Sequence, residues 1–155
     1  NAAVIVCSDT VSAGQKKDKA GKSIEAKLQE HGVSTVHYHV IPDDRQQIEN
    51  EVNTCVEKGI QLIIITGGTG LSSRDVTPES VIPLLDRRIP GIEETIRQYG
   101  QQRMPYAMLS RSVVGQIKDS LLISLPGSSR GAIESMDAVF PHVLHVFSIM
   151  KHNKH

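Results

Sequence analysis

The residues of this chain that could do chemistry collect in three short polar segments and two carboxylates. Thr66-Gly67-Gly68-Thr69-Gly70 is a stretch in which backbone can approach a ligand closely, because glycine has no Cβ and accepts positive φ. Exposed amides in such a loop can cradle an anion, and the Thr66 and Thr69 hydroxyls add donors. Pro126-Gly127-Ser128-Ser129 precedes a long apolar-periodic segment. A helix start there would offer unpaired amides and the positive end of a dipole to an anion. Ser8-Asp9-Thr10 follows the first apolar run and completes the set. Each segment taken singly also reads as a tight connection or an N-cap, and only their convergence favours a site. Asp43, in Pro42-Asp43-Asp44, and Asp75, before Thr77-Pro78, leave two readings open. Either can cap a helix, as is expected of Asp44, or they can hold Mg²⁺ through oxygen beside substrate phosphates.

These segments must be positioned by alternating strands and helices. Ala2 to Cys7 is a short β-branched apolar run, and Leu62-Ile63-Ile64-Ile65 is continuously apolar, as suits parallel strands covered on both faces. Strands are also expected over Val33 to Ile41, Ile60 to Thr66, Ala107 to Leu109, Ser112 to Ile117 and Leu121 to Leu125. Ala20, Ile24 and Leu28 mark one helix, stopped at Gly32. Ile48, Val52, Cys55 and Val56 mark a second, ended by Gly59. Thr77 is expected to N-cap a helix with Pro78 at its first position. Ile92 and Ile96 mark a further helix ending near Gly100, and a last one is expected from Ser129 to Met150. The pattern predicts a three-layer α/β/α domain on a mostly parallel open sheet. In such sheets ligands sit beyond the carboxyl ends of the strands, and all three polar segments open onto that edge.

Composition narrows the partners. The 155 residues carry 17 basic and 17 acidic side chains, which argues against a polyanion track such as bulk nucleic acid. Aromatics make up 3% with no Trp, too few for a base-stacking platform. Locally the charge is uneven: Lys16, Lys17, Lys19 and Lys22 follow the first strand, and Arg74, Arg111 and Arg130 lie in or near the other loops. A compact pocket for small phosphorylated molecules is compatible with that arrangement. There is no Walker A sequence and no G-x-G-x-x-G, which argues against a P-loop NTPase and a nicotinamide-binding turn. No apolar run approaches a membrane span, and no signal peptide is visible. Cys7 and Cys55, in apolar segments without framework spacing, suit a reducing cytoplasm. His142/His145 and His152/His155 have helix-face spacing but too few ligands for zinc, and His37 and His39, facing one way on a strand, read as structural. The chain lacks an initiator Met and begins almost in its first strand. One domain over residues 1–155 is expected, excised from a longer fusion protein.

Five motifs in order make the sequence resemble the molybdopterin-binding family of molybdenum cofactor biosynthesis, the molybdopterin adenylyltransferases and gephyrin G domains in particular. They are Ser8-Asp9-Thr10-Val11-Ser12-Ala13-Gly14; Pro42-Asp43-Asp44; Thr66 to Gly70 with Arg74-Asp75-Val76-Thr77-Pro78-Glu79; Met108-Leu109-Ser110-Arg111; and Leu125-Pro126-Gly127-Ser128. The resemblance implies adenylyl transfer from ATP to molybdopterin with release of pyrophosphate. It implies a trimer or dimer of trimers, Mg²⁺ dependence, and contact with other cofactor-biosynthesis proteins. It implies that Asp43 and Asp75 are the carboxylates needed for activity. Thr66 to Gly70, Ser110, Arg111 and Pro126 to Ser128 match the pterin-phosphate and nucleotide pocket, and Ser8 and Asp9 match its nucleotide side. Thr10, Thr77, Pro78 and Glu79 lie within the same motifs and join the candidate binding residues. A binding-only paralogue and a trimeric scaffold module are the alternatives the family holds.

Overall fold

The computed structural model describes residues 1–152. Six strands form one sheet: β1 (Ala2–Cys7), β2 (Thr35–Ile41), β3 (Leu62–Thr66), β4 (Arg87–Arg88), β5 (Val114–Ile117) and β6 (Ser120–Leu125), in the order β2-β1-β3-β6-β5-β4. β2, β1, β3 and β6 are parallel, and β5 runs antiparallel to both β6 and β4. The expected three-layer α/β/α architecture is therefore present. Alternation along each central strand feeds two cores. Val4, Val6, Leu62 and Ile64 pack with Ile24 and Leu28 of α2 (Ala20–Glu30), Ile96 of α5 (Pro90–Gln101) and Met136 of α6 (Ser129–Val139). Ala3, Ile5, Ile63 and Ile65 pack with Ile48, Val52 and Cys55 of α3 (Arg45–Glu57) and Val81 of α4 (Thr77–Val81). Burial on both faces is why β1 and β3 are apolar without interruption.

The chain leaves β1 through α2 on one face to reach β2, and returns through α3 on the other to reach β3, on the far side of β1. That reversal makes the carboxyl ends of β1 and β3 a topological switch point, where adjacent loops part and leave a crevice. Thr66 sits in register between Val6 of β1 and Leu125 of β6, so the three polar segments emerge side by side. Among the described residues, no helix is long and apolar enough to cross a membrane.

Several local expectations are corrected. Ala107 to Leu109 is not a strand but the end of a 3₁₀ turn, Pro105–Leu109, which Pro105 starts readily because it has no amide to leave unpaired. The last helix is not continuous to Met150. Pro141 cannot supply a helical N–H and ends α6 at Val139, after which a 3₁₀ turn (His142–Leu144) leads into α7 (His145–His152). His142 and His145 are thus not neighbours on one continuous helix. His155 lies outside the described residues, and the side chain of His152 with it. Thr77 is not the N-cap of α4 but lies inside its first turn, with Val76 at the cap. β2 starts at Thr35, β3 at Leu62 and β5 at Val114, each two residues later than the pattern suggests.

Candidate functional site

Ser8 caps the one-turn helix α1 (Asp9–Ser12) by accepting from the Val11 amide at 3.2 Å, which stands Asp9 at the carboxyl end of β1. The turn after β2 brings Asp43 against it. The two residues are joined reciprocally: the Asp9 amide donates to Asp43 Oδ2 at 3.1 Å, and the Asp43 amide donates to Asp9 Oδ1 at 2.9 Å. Arg74, from the loop after β3, closes the arrangement. Its Nε and Nη2 donate to both Asp9 oxygens at 2.9 and 3.1 Å, and Nη2 also donates to the Asp43 carbonyl at 3.2 Å. The Arg74 guanidinium, and then the Asp43 amide, hold the Asp9 carboxyl below its ordinary value. Asp44 caps α3 by accepting from the Gln47 amide at 3.0 Å, as expected of it.

Asp43 faces the opposite pressure. Burial pushes its carboxyl above the usual range, and the charges of Asp9 and Asp75 push the same way. Its Oδ1 is buried and has no hydrogen-bond partner. A buried acceptor left unpaired costs the desolvation of that atom, and such an atom in a native site calls for an explanation. Gly68 is what makes room for it: a Cβ there would lie 3.3 Å from Asp43 Oδ1 and 2.2 Å from the Thr77 hydroxyl.

The loop after β3 is built on close approach. Gly67 has φ +102°, and a Cβ on it would lie 2.1 Å from the Cys7 carbonyl oxygen, so no side chain fits between the β1 and β3 loops. Its amide donates to the Leu125 carbonyl at 3.0 Å, and the Thr66 hydroxyl donates to the Pro126 carbonyl at 2.7 Å, tying in the β6 loop. The Thr77 hydroxyl donates to the Gly67 carbonyl at 2.8 Å, which gives the first residue of α4 a partner outside its own helix. Asp75 accepts from the Ser72 amide at 2.9 Å, and Gly70 backs it closely. Ser128 accepts from the Gly131 amide at 3.1 Å and so caps α6.

Together these residues wall a cavity of about 440 Å³ that includes Ser8, Asp43, Thr66, Gly67, Gly68, Asp75, Gly127 and Ser128. Lys16, Lys17 and Lys19 line it as well. A chain of zero net charge thus gathers three lysines and three carboxylates, Asp18, Asp43 and Asp75, around one pocket. The lysines were legible in sequence as a local positive field but not as wall residues, and Val11 and Asp18, also in the wall, carried no sequence signal beyond their neighbours. Asp18 is held by its own contacts, accepting from the Gly21 amide at the start of α2 and from the Tyr38 hydroxyl. The Cys7 thiol, at the edge of this cavity, is pushed up to about 12 by burial and then by Asp43, so it is no nucleophile at neutral pH.

The remaining expected residues are placed differently. Arg111 is a bracket for the loop rather than a wall of this cavity. Its amide and Nε donate to the Thr69 and Gly70 carbonyls at 2.8 Å each, Nη2 donates to the Asp75 carbonyl at 2.9 Å, and Nη1 pairs with Glu79 at 2.6 Å. Glu79 is therefore the bracket's counter-ion, its carboxyl held low by Arg111. Thr69, Thr77 and Pro78 are buried behind the loop, and Thr10 is exposed on α1, its hydroxyl within 3.2 Å of that of Ser8. Ser110 and Pro126 line a second, more apolar cavity of about 360 Å³ with Met104, Tyr106 and Arg97. Ser128 belongs to both cavities, so the start of α6 is their common wall. Two adjoining compartments, one polar and charged and one apolar, suit a pair of small molecules brought end to end.

The family model described as "Probable molybdopterin binding domain" matches residues 3–145. The chain is 36% identical over 143 residues to a molybdopterin adenylyltransferase of Helicobacter pylori, covering 90% of this chain and 81% of that one. It is 33% identical over 153 residues to a molybdenum cofactor biosynthesis bifunctional protein of Chlorobaculum tepidum, covering 99% of this chain. The chain spans about half (49%) of that relative's length. The crystal structure of the molybdopterin biosynthesis enzyme MoaB of Thermus thermophilus superposes with a TM-score of 0.92 at 35% identity, covering 97% of this chain and 96% of that one.

Proposed function

The chain belongs to the molybdopterin-binding domain family of molybdenum cofactor biosynthesis, and from that premise we propose that it transfers the adenylyl group of ATP to the terminal phosphate of molybdopterin. An oxygen of that phosphate attacks the α-phosphorus of ATP, the bond to the β-phosphate breaks, and pyrophosphate leaves. A phosphate monoester has a second pKa of about 6, so the nucleophile is already mostly ionised at neutral pH and needs no strong base. The difficulty is bringing one anion against another, which positioning and preorganised charge overcome.

The observation that carries this reading is the orphaned Asp43 Oδ1 beside Asp75 in a cavity that three lysines also line. A buried, unpaired carboxylate oxygen next to a second carboxylate fits a cation, and oxygen donors fit Mg²⁺. Asp75, helped by Asp43, would hold it. When bound, the ion neutralises and orients ATP phosphates. The chain's own groups do the rest: Lys16, Lys17 and Lys19 draw in the phosphates, and the start of α6 at Ser128 offers amides at the junction of the two cavities. Arg111 and Arg74 keep the loops in register for this. In this reading Ser8, Asp9, Thr66 to Gly70 and Gly127 shape the nucleotide compartment, and Ser110 and Pro126 the pterin side. The unpaired Cys7 and Cys55 are consistent with a cytoplasmic setting, which we also propose. Incubating the chain with ATP, Mg²⁺ and molybdopterin tests the activity. Stoichiometric pyrophosphate and adenylylated molybdopterin are expected. Molybdopterin binding with no pyrophosphate would make the chain a binding-only member.

A further inference from the structure

Outside the lining of that cavity, three side chains of metal-ligating type meet between the edge strand β2 and α3. His37 and His39 are two residues apart on β2, so their side chains leave the same face of the strand. That face packs toward α3, where Glu51 sits on the second turn of the helix. His37 Nε2 lies 2.9 Å from Glu51 Oε2, and His39 Nδ1 lies 2.7 Å from Glu51 Oε1. The three donor atoms all fall within 4.8 Å of one another. The two rings stand edge to face, at 79°, so their nitrogens converge on the carboxylate from different directions.

We propose that His37, His39 and Glu51 form a zinc-binding site. Two imidazole nitrogens and a carboxylate oxygen are the donor set of an open, three-ligand zinc site, whose fourth position is left to water. Access is provided by His39, which is 55% exposed, while His37 and Glu51, each at 16%, are sheltered enough to be held in place. The N–O separations of 2.7–2.9 Å are hydrogen-bond distances, and a zinc ion at about 2.0–2.2 Å from each ligand needs only a small outward shift, led by the exposed His39. An imidazole binds a metal through an unprotonated nitrogen, so each ring nitrogen facing Glu51 must be free of its proton when the ion is bound. The site joins β2 to α3, and the only chain between those elements is Pro42-Asp43-Asp44. A metal here would therefore brace the turn that carries Asp43.

The test is calorimetric titration of the chelator-stripped 155-residue chain with Zn²⁺. One equivalent is expected to bind with a Kd in the micromolar range or below, and to raise the Tm. Loss of an outer partner of a ligand already weakens metal sites about 10- to 100-fold, so His39→Ala, His37→Gln and Glu51→Gln should each weaken this event at least about tenfold. His142→Ala/His145→Ala should leave it unchanged. Exposed His39 makes His39→Ala safe for folding, and its metal-free Tm should match that of the parent chain. An undiminished equivalent in His39→Ala, or loss of it in His142→Ala/His145→Ala, would overturn the assignment.

Discussion

At the scale of single residues the site trades stability for charge. Asp43 is held above the ordinary carboxyl range by burial, so folding favours its neutral form. That contribution to stability is full below the ordinary carboxyl pKa and is lost as pH rises through the raised value. Asp43→Asn should therefore have a higher Tm than the parent chain at pH 7, and the gap should close as pH falls into the acid range. Calorimetric scans at several pH values check this; the same variant should lose adenylyl transfer. Gly67 makes the converse point. With φ +102° and a virtual Cβ 2.1 Å from the Cys7 oxygen, Gly67→Ala should cost about 2 kcal/mol or more. For a chain of this length that is roughly 5 °C or more in Tm. Gly91, in α5 with nothing within 4 Å of its virtual Cβ, is the control, and Gly91→Ala should hold or raise the Tm. Asp43 and Asp75 stay open in sequence between caps and ligands, and it is the buried, unpaired Asp43 Oδ1 that separates the two readings; the glycine run could be picked out from residue type, since few residues besides glycine accept such backbone. The role of Arg111 could not be picked out, because a guanidinium beside a phosphate pocket and one bonded to the Gly70 and Asp75 carbonyls look the same in sequence.

At the scale of elements, the loops work as one unit because Arg74 and Arg111 cross-link them. Arg74 joins the β1, β2 and β3 loops through Asp9 and the Asp43 carbonyl, yet both charged partners are well exposed, with side-chain exposures of 65% and 38%. Arg74→Ala should therefore leave the Tm nearly unchanged while lowering kcat/KM for ATP by about tenfold or more, a split read by steady-state kinetics beside thermal unfolding. The helices and the parallel strands were legible because each buries a stripe or a continuous run. The 3₁₀ turn at Pro105–Leu109 was not, since three apolar residues, Ala107 to Leu109, fit a strand as well as a turn, and Leu109 and Met108 in fact stand exposed. The break after Val139 was signalled by Pro141 and overridden by the apolar periodicity on either side of it. Thr77 misled for a different reason: its hydroxyl serves the Gly67 carbonyl, a long-range partner invisible to local capping rules.

At the scale of the whole molecule, a net charge of zero hides a densely charged pocket, lined by lysines from the loop after β1 and by carboxylates from the loops after β2 and β3. That gathering follows from topology, because the reversal between β1 and β3 brings their charged loops to one crevice. The large apolar residues left exposed, among them Leu71, Met104, Tyr106, Met108 and Leu109, suit association of copies. We propose a trimer on that basis and on the family resemblance; sedimentation should give about 51 kDa, three times 17.0 kDa, or twice that for a dimer of trimers, and a stable 17.0 kDa species would contradict it. The assignment that decides the mechanism is that of Asp75 to the transferred phosphates and not to the pterin. It is tested most directly by measuring, on one preparation of Asp75→Asn, both pyrophosphate release from ATP with Mg²⁺ and binding of molybdopterin. Release is expected to fall by at least about a hundredfold while molybdopterin affinity stays within a few-fold of the parent chain. Turnover at the parental rate, or molybdopterin binding lost in step with turnover, would contradict it.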